Sequence, residues 1–350
     1  MKRRVGDLFL WLKQNPGLAG SVVLFAVLYV LYNLAHPKGF SSQVLVQNAD
    51  EAFSLALLAM AQTLPVLAGG LDLSVGAVMT MVNCLASVLV IGSPLEITLG
   101  IVLCLAAGAA FGLGNGIIVV YGRIQPIIAT LATAAIALGI ALFLRPKPGG
   151  KVDEDVSWAL TNTLGDFADT YGLFDGGKAA WFEPFAWLPV AAILLLAIIA
   201  IVWLPLRRTV TGRTIYAIGS AEGAAFMSGL PIVRAKLAAF TLAGFLAGIG
   251  GLFLAIETSS GNADLPQAGA YTLNSIAAVV IGGTSLLGGS GSAIGSVMGA
   301  LVLRVISFNF RVFDVPPLVQ PLVEGLVLLA AVSLAALPVL RVKNMLELFR

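Results

Sequence analysis

Long apolar runs separated by short polar breaks dominate the chain, and their lengths predict its elements. A membrane-spanning helix needs about 20 apolar residues, at about 1.5 Å of rise each. Ten stretches approach that length: 17–35, 52–69, 75–92, 95–120, 124–144, 186–206, 236–256, 271–287, 292–310 and 317–340. The pattern predicts an all-α polytopic membrane protein. It has about ten transmembrane helices with Gly-broken segments, in a single transmembrane domain over 1–350. The shorter runs are expected to be broken or re-entrant, since irregular backbone is tolerated at membrane depth only under protein cover or beside a wet cavity. Two polar segments are long, at about 145–185 and about 207–235.

Composition agrees with the pattern. Of 350 residues, 59% are hydrophobic and 11% charged, against about 25% charged in soluble domains. Placing the N-terminus inside puts 13 of the 20 Lys and Arg residues on inner segments, as the positive-inside rule requires. An even span count then puts both termini in the cytoplasm and 145–185 outside. The first apolar run follows Lys2, Arg3 and Arg4 and lacks a small-residue cleavage site, so it is expected to remain as the first span. In the outer segment, Trp158, Trp181, Phe182 and Trp187 suit either a plain loop with Trp at headgroup depth or an interfacial lid or partner-docking surface.

Catalytic chemistry is sparse. Cys84 and Cys104 lie in apolar stretches and read as small core residues. His36 alone cannot build a metal site. Gly172, Gly177 and Lys178 have phosphate-loop spacing, but Ala179 stands where Ser or Thr must hold Mg²⁺, and no strand precedes them. No paired His, Ser-His-Asp set or HExxH motif is present, so enzyme activity within this chain is not expected, nor is a nucleic-acid partner.

Two glycine-rich breaks stand out. In AGGLDLSVGA, residues 68–77, glycines interrupt a helix, Asp72 follows in an apolar setting, and Ser74 begins a new half-helix with N-cap chemistry. A carboxylate at membrane depth is costly. Asp72 is either a structural cap or part of a break lining a transport path, and a capped half-helix can be both. The second break is VVIGGTSLLGGSGSAIGSVMGA, residues 279–300. VLAGG and VVIGG suggest an internal duplication. Gly108, Gly112 and Gly116, Gly244 and Gly248, and Gly291, Gly295 and Gly299 form stripes of the kind used in helix packing. Glu324 is a further acid within a span; it either snorkels to the interface or faces a cavity. Glu257, Asn262 and Asp264 are polar candidates for the outer mouth.

The inner segment is helix-compatible from Ser220 to Leu230. Glu222 suits a helix start. Ala224, Ala225 and Gly229 leave room for a partner to approach closely.

Four motifs, GGLDLSVGAV, IQPIIATL, YAIGSAEGAAFMSGLPI and IAAVVIGGTSLLGGSGSAIGSVMGAL, follow one another in an order that resembles the permease subunits of bacterial ribose-type sugar ABC importers. The resemblance covers about residues 50–335. It implies a multi-pass permease in the bacterial inner membrane, dimeric with a second copy or a paralogue. It also implies two cytoplasmic ATP-binding subunits that carry ATP and Mg²⁺, with no cofactor in this chain, and a periplasmic sugar-binding protein. The helix at Glu222, Ala224, Ala225 and Gly229 would be the coupling helix seated in the ATPase. Ala221, Asn274 and Ile127 depart from residues common in the pattern, Asn, Asp and Phe respectively. A sugar path is polar but mostly uncharged. Asn115, Thr130, Thr133, Thr284 and Ser285 are candidates to line it, with Asp72, Ser74 and Glu324. A permease for a nucleoside or amino acid, an ion-coupled secondary transporter and a membrane enzyme are the alternatives.

Overall fold

The computed structural model describes residues 16–172 and 184–316, with positions 319, 322, 323, 325, 326 and 329. Most of the tenth predicted span, including Glu324, lies outside the described residues, as do Gly177, Lys178 and Ala179.

The early helices are α1 (Pro16–Ala35), α2 (Ser42–Leu67), α3 (Val75–Leu89), α4 (Pro94–Tyr121) and α5 (Pro126–Leu144). Then come α6 (Glu154–Leu160), α7 (Leu164–Thr170), α8 (Val190–Ile198) and α9 (Leu204–Arg208), the last two joined by a π-helical turn over Ile199–Trp203. The remainder are α10 (Val210–Met227), α11 (Ile232–Thr258), α12 (Leu265–Ile281) and α13 (Ala293–Val312). Among the described residues, seven helical segments are long and apolar enough to cross a membrane, α8 through α9 counting as one; α3 and α12 are shorter apolar helices.

Local chemistry sets several boundaries. Ser93 and Glu96 form a capping box at the start of α4, with Pro94 in the first turn, and Pro126 opens α5. Both prolines sit where a helix has no use for an N–H. The π turn precedes Pro205, which cannot donate to the ladder.

Several predicted boundaries are corrected. The second span begins at Ser42 rather than 52, because Ser41 Oγ caps the helix by accepting from Val44 N. The eighth span runs Leu265–Ile281 rather than 271–287, since Gly282 and Gly283 end it. The polar segment at 145–185 is not a plain loop in its first half. It holds α6, capped by Asp153, and α7, with a Thr163–Asp166 capping box. Arg145 fastens this segment to the end of α3, donating from Nε to Ser87 Oγ and from Nη2 to the Ser87 carbonyl, both at 2.8 Å.

Packing separates a protein-covered centre from an apolar exterior. In their most apolar windows α2 and α11 are 78% and 72% buried, but α4 and α5 only 22% and 28%. The exposed positions of α4 and α5 include Leu99, Val102, Leu103, Leu131, Ile136 and Phe143, a face suited to lipid or a second subunit. The glycine stripes on the helices act where predicted, except that Gly291 lies before the start of α13, in the turn, against Thr284. Gly108 and Gly112 of α4 interlock with Gly244 and Gly248 of α11, and a Cβ added at Gly108 would stand 2.6 Å from the Gly244 carbonyl oxygen. Gly295 and Gly299 of α13 likewise meet Gly282 and Ala278 at the end of α12.

Candidate functional site

The first break follows α2 and is held by buried polar groups from four elements. Asp72, 1% exposed, accepts through Oδ1 from Ser74 N at 2.8 Å and from Ser74 Oγ at 2.6 Å. Asn115 of α4 donates to Ser74 Oγ at 2.8 Å. Leu73 N donates to Thr130 Oγ1 of α5 at 2.9 Å. The Gln62 amide of α2, oriented by its neighbours, donates to the Asp72 carbonyl at 2.9 Å and accepts from Asp72 N at 3.3 Å. The expectation that Ser74 caps α3 is corrected here: its side chain makes no capping bond. Asp72, two residues earlier, takes the Ser74 N–H in an Asx-type turn.

The second break follows α12 and repeats the first one's helix end. Gly69 N donates to Val66 O and Gly70 N to Pro65 O, each at 2.9 Å. Gly283 N donates to Val280 O at 2.9 Å and Thr284 N to Val279 O at 3.0 Å. Both helices end in a Schellman motif, with Gly69 (φ +78°) and Gly283 (φ +83°) in the left-handed position. The equivalence is therefore Gly69 with Gly283, one residue later than pairing the two Gly-Gly sequences gives. Within the second break, Ser292 N donates to Thr284 Oγ1 at 3.1 Å, and Thr63 Oγ1 of α2 donates to Ser296 Oγ at 2.7 Å.

The two breaks touch each other and α10. Gly289 N donates to Leu67 O at 3.0 Å. Gly219 of α10 is wedged between them, since a Cβ there would stand 2.9 Å from Gly288 C and closer still to Leu67 O and Gly289 N. Tyr216 OH donates to Gly291 O at 2.8 Å. The single inner helix expected from Ser220 to Leu230 is corrected to a helix of two arms. It starts at Val210 and ends at Met227, and Ala221 breaks it with φ −164° and ψ +94°. The longer, leading arm docks on the breaks. The short arm after Ala221 projects as a tip: Glu222 and Ala224 are exposed, Ala225 is buried, and nothing lies within 4 Å of where a Cβ on Gly223 or Gly229 would be. Phe226 and Met227 are 71% and 85% exposed. Motif and spacing did not single out either residue. Glu222 Oε1 pairs with Lys236 Nζ of α11 at 2.6 Å. Together with Gly69, Gly70, Arg123 and Gln125 they line a cleft of about 530 Å³.

Asp72, Ser74, Asn115 and Thr130 are thus brought together, whereas Thr284 and Ser285 belong to the second break. Thr133 lies apart, its hydroxyl on the Thr130 carbonyl at 3.2 Å. Thr133 and Asn115 line a second, apolar cleft of about 580 Å³ beside Phe111 and Ile136. At the opposite end of the bundle a polar cavity of about 550 Å³ is lined by residues of α2 with His36, Lys38, Thr161 and Glu257.

Comparison with known proteins accords with this architecture. A family model described as branched-chain amino acid transport system / permease component matches residues 45–332. The ribose import permease protein RbsC of Escherichia coli K12 is 32% identical over 92% of this chain and 93% of its own length. RbsC of Bacillus subtilis is 32% identical over 88% and 89%, and the fructose import permease protein FruG of Bifidobacterium longum 30% over 91% and 90%. No solved structure matches. With that match spanning most of the described helices and both breaks, the chain belongs to the family of branched-chain amino acid transport system / permease components.

Proposed function

We propose that this chain is the membrane permease subunit of an ATP-driven importer that carries a monosaccharide or related polyol across the bacterial inner membrane. The single observation that carries the reading is the two-armed α10. Its leading arm is locked between the two helix breaks, and its tip presents exposed Glu222, Phe226 and Met227 to a partner. Such an element transmits force: movement imposed on the tip shifts both breaks, and with them the starts of α3 and α13. The sugar class follows from the ribose and fructose import permeases that align along most of their lengths. ATP and Mg²⁺ belong to separate cytoplasmic subunits seated on the α10 tip. A periplasmic binding protein delivers the solute, and a second copy or a paralogue completes the permease. In this reading the α10 end of the bundle faces the cytoplasm.

The test is uptake in proteoliposomes containing the chain, its ATPase and its binding protein. Wild type gives ATP-dependent uptake of a monosaccharide. Gly229→Trp places a bulky ring at the open end of the tip; it lowers uptake and uptake-linked ATPase to background while the permease still inserts. Full coupling in that variant, or hydrolysis by the chain alone, refutes the assignment.

A further inference from the structure

The opposite end of the bundle holds a cavity to which neither the α10 tip nor the breaks contribute. It is about 550 Å³, within the size range of small-molecule sites. Gln47, Asp50 and Glu51 of α2 form one wall, Glu257 at the end of α11 another, and Lys38 and Thr161 the rim. Asp50 is only 6% exposed, and its Oδ1 has no hydrogen-bond partner. Glu257 forms no ion pair among the described residues.

The neighbouring cations are engaged by groups other than Asp50 and Glu257. Arg311 holds Glu51 through both carboxylate oxygens, at 3.0 and 2.5 Å. Arg304 donates to Tyr271 OH at 2.8 Å. Lys38 donates to Gln43 at 2.7 Å. Two carboxylates are left to face a small polar cavity without donors. A buried acceptor of this kind is costly unless a ligand supplies the missing hydrogen bond. Among the described residues, no three His, Cys, Asp or Glu side chains converge to hold a metal ion. Asp50 is buried where Gln43 and Gln47, earlier on the same helix, are exposed. On the sugar-importer reading, the ligand that suits the cavity is a compact neutral molecule rich in hydroxyl groups, whose O–H donors match the carboxyl oxygens of Asp50 and Glu257.

We propose that this cavity is a reception site for the solute at the outer end of the permease, in which Asp50 and Glu257 accept hydroxyls of a neutral monosaccharide. The inference rests on the sugar-importer reading, and the experiment separates the two. Gln47→Cys introduces an exposed thiol on the cavity wall, while native Cys84 and Cys104 are buried and silent. In proteoliposomes of the full importer, its labelling by a membrane-impermeant maleimide is followed with D-ribose, D-fructose, other neutral monosaccharides, NaCl or spermidine. Neutral monosaccharides that the importer carries slow the labelling, and NaCl and spermidine do not. Adding Asp50→Asn and Glu257→Gln abolishes the protection, and in the chain without Gln47→Cys the pair lowers uptake at least tenfold while wild-type amounts of folded permease are recovered. Absence of uptake of every monosaccharide by wild type would sink the importer reading itself. Normal wild-type uptake with no sugar protection, with protection by NaCl or spermidine instead, or with uptake untouched by the double substitution overturns the reception site alone.

Discussion

Asp72 makes sense only with its neighbours. Its carboxylate satisfies the Ser74 N–H and hydroxyl in a buried place. Asp72→Asn keeps an acceptor oxygen, so we expect folded protein with reduced uptake. Asp72→Leu strands two buried donors, at a cost of about 1–3 kcal/mol each, and should lower the thermal midpoint of the purified importer and remove most uptake. Wild-type uptake by the Leu variant would defeat this role. The glycine seam offers a sharper contrast. Gly112→Leu drives a side chain into the Phe240 carbonyl and Gly244 of α11, and should abolish the monodisperse peak in size-exclusion chromatography. Gly114→Ala, two residues on, meets nothing within 4 Å and should leave the peak unchanged. These roles differed in legibility. Asp72 was visible because a carboxylate among apolar residues demands an explanation. The glycine stripes were visible by their spacing of four. Gln62 and Thr63 were not, because their partners, the Asp72 backbone and Ser296, are reached only across a turn or a neighbouring helix.

At the scale of elements, the coupling between breaks is the finding that sequence periodicity could not supply. Residue type marked only the stretch from Ser220 to Leu230 as helix-compatible; the leading arm from Val210, docked against Leu67 and Gly289, and the break at Ala221 were not visible in it. The duplicated helix ends were half legible. Pairing Gly-Gly with Gly-Gly misplaces the second by one residue, since the left-handed φ falls on the second glycine there and on the first in the early break. Of the two short helices between α5 and α8, α7 had a readable sign: Thr163 and Asp166 stand at capping-box spacing. Docking predicts a separation of functions. Gly219→Leu has no space between the breaks. It should leave the ATPase bound, because the α10 tip is untouched, yet uncouple it. Co-purification of the ATPase in normal yield with uptake near background is the expected result; normal uptake would show that the wedge transmits nothing. Glu222 and Lys236 are exposed enough, at 53% and 23% of their side chains, that their pairing should contribute little stability. Glu222→Gln should leave the thermal midpoint of the purified importer unchanged.

For the whole molecule, orientation is the quantity on which every other assignment depends. The breaks, the Gly122–Gln125 turn, α10 and the start of α11 share one end of the bundle. The α1–α2 turn, α6, α7 and the Gly149–Gly261 bridge share the other. Among the described residues Arg123, Arg207, Arg208, Arg213, Arg234 and Lys236 lie at the first end, and Lys38, Arg145, Lys147, Lys151 and Arg311 at the other. The near-even split leaves the expected excess of inner charge to the basic residues near the two sequence ends, with which the positive-inside rule predicts a cytoplasmic first end. The seven membrane-length segments fix the axis but not its direction, so direction rests on charge alone. Two single substitutions decide it. With Cys84 and Cys104 buried, a cysteine at Lys178→Cys should react with an impermeant maleimide applied outside intact cells. One at Arg213→Cys should react only after the membrane is opened. The reverse pattern would put the α10 tip outside, away from ATP, and would invert the functional roles of both ends of the bundle.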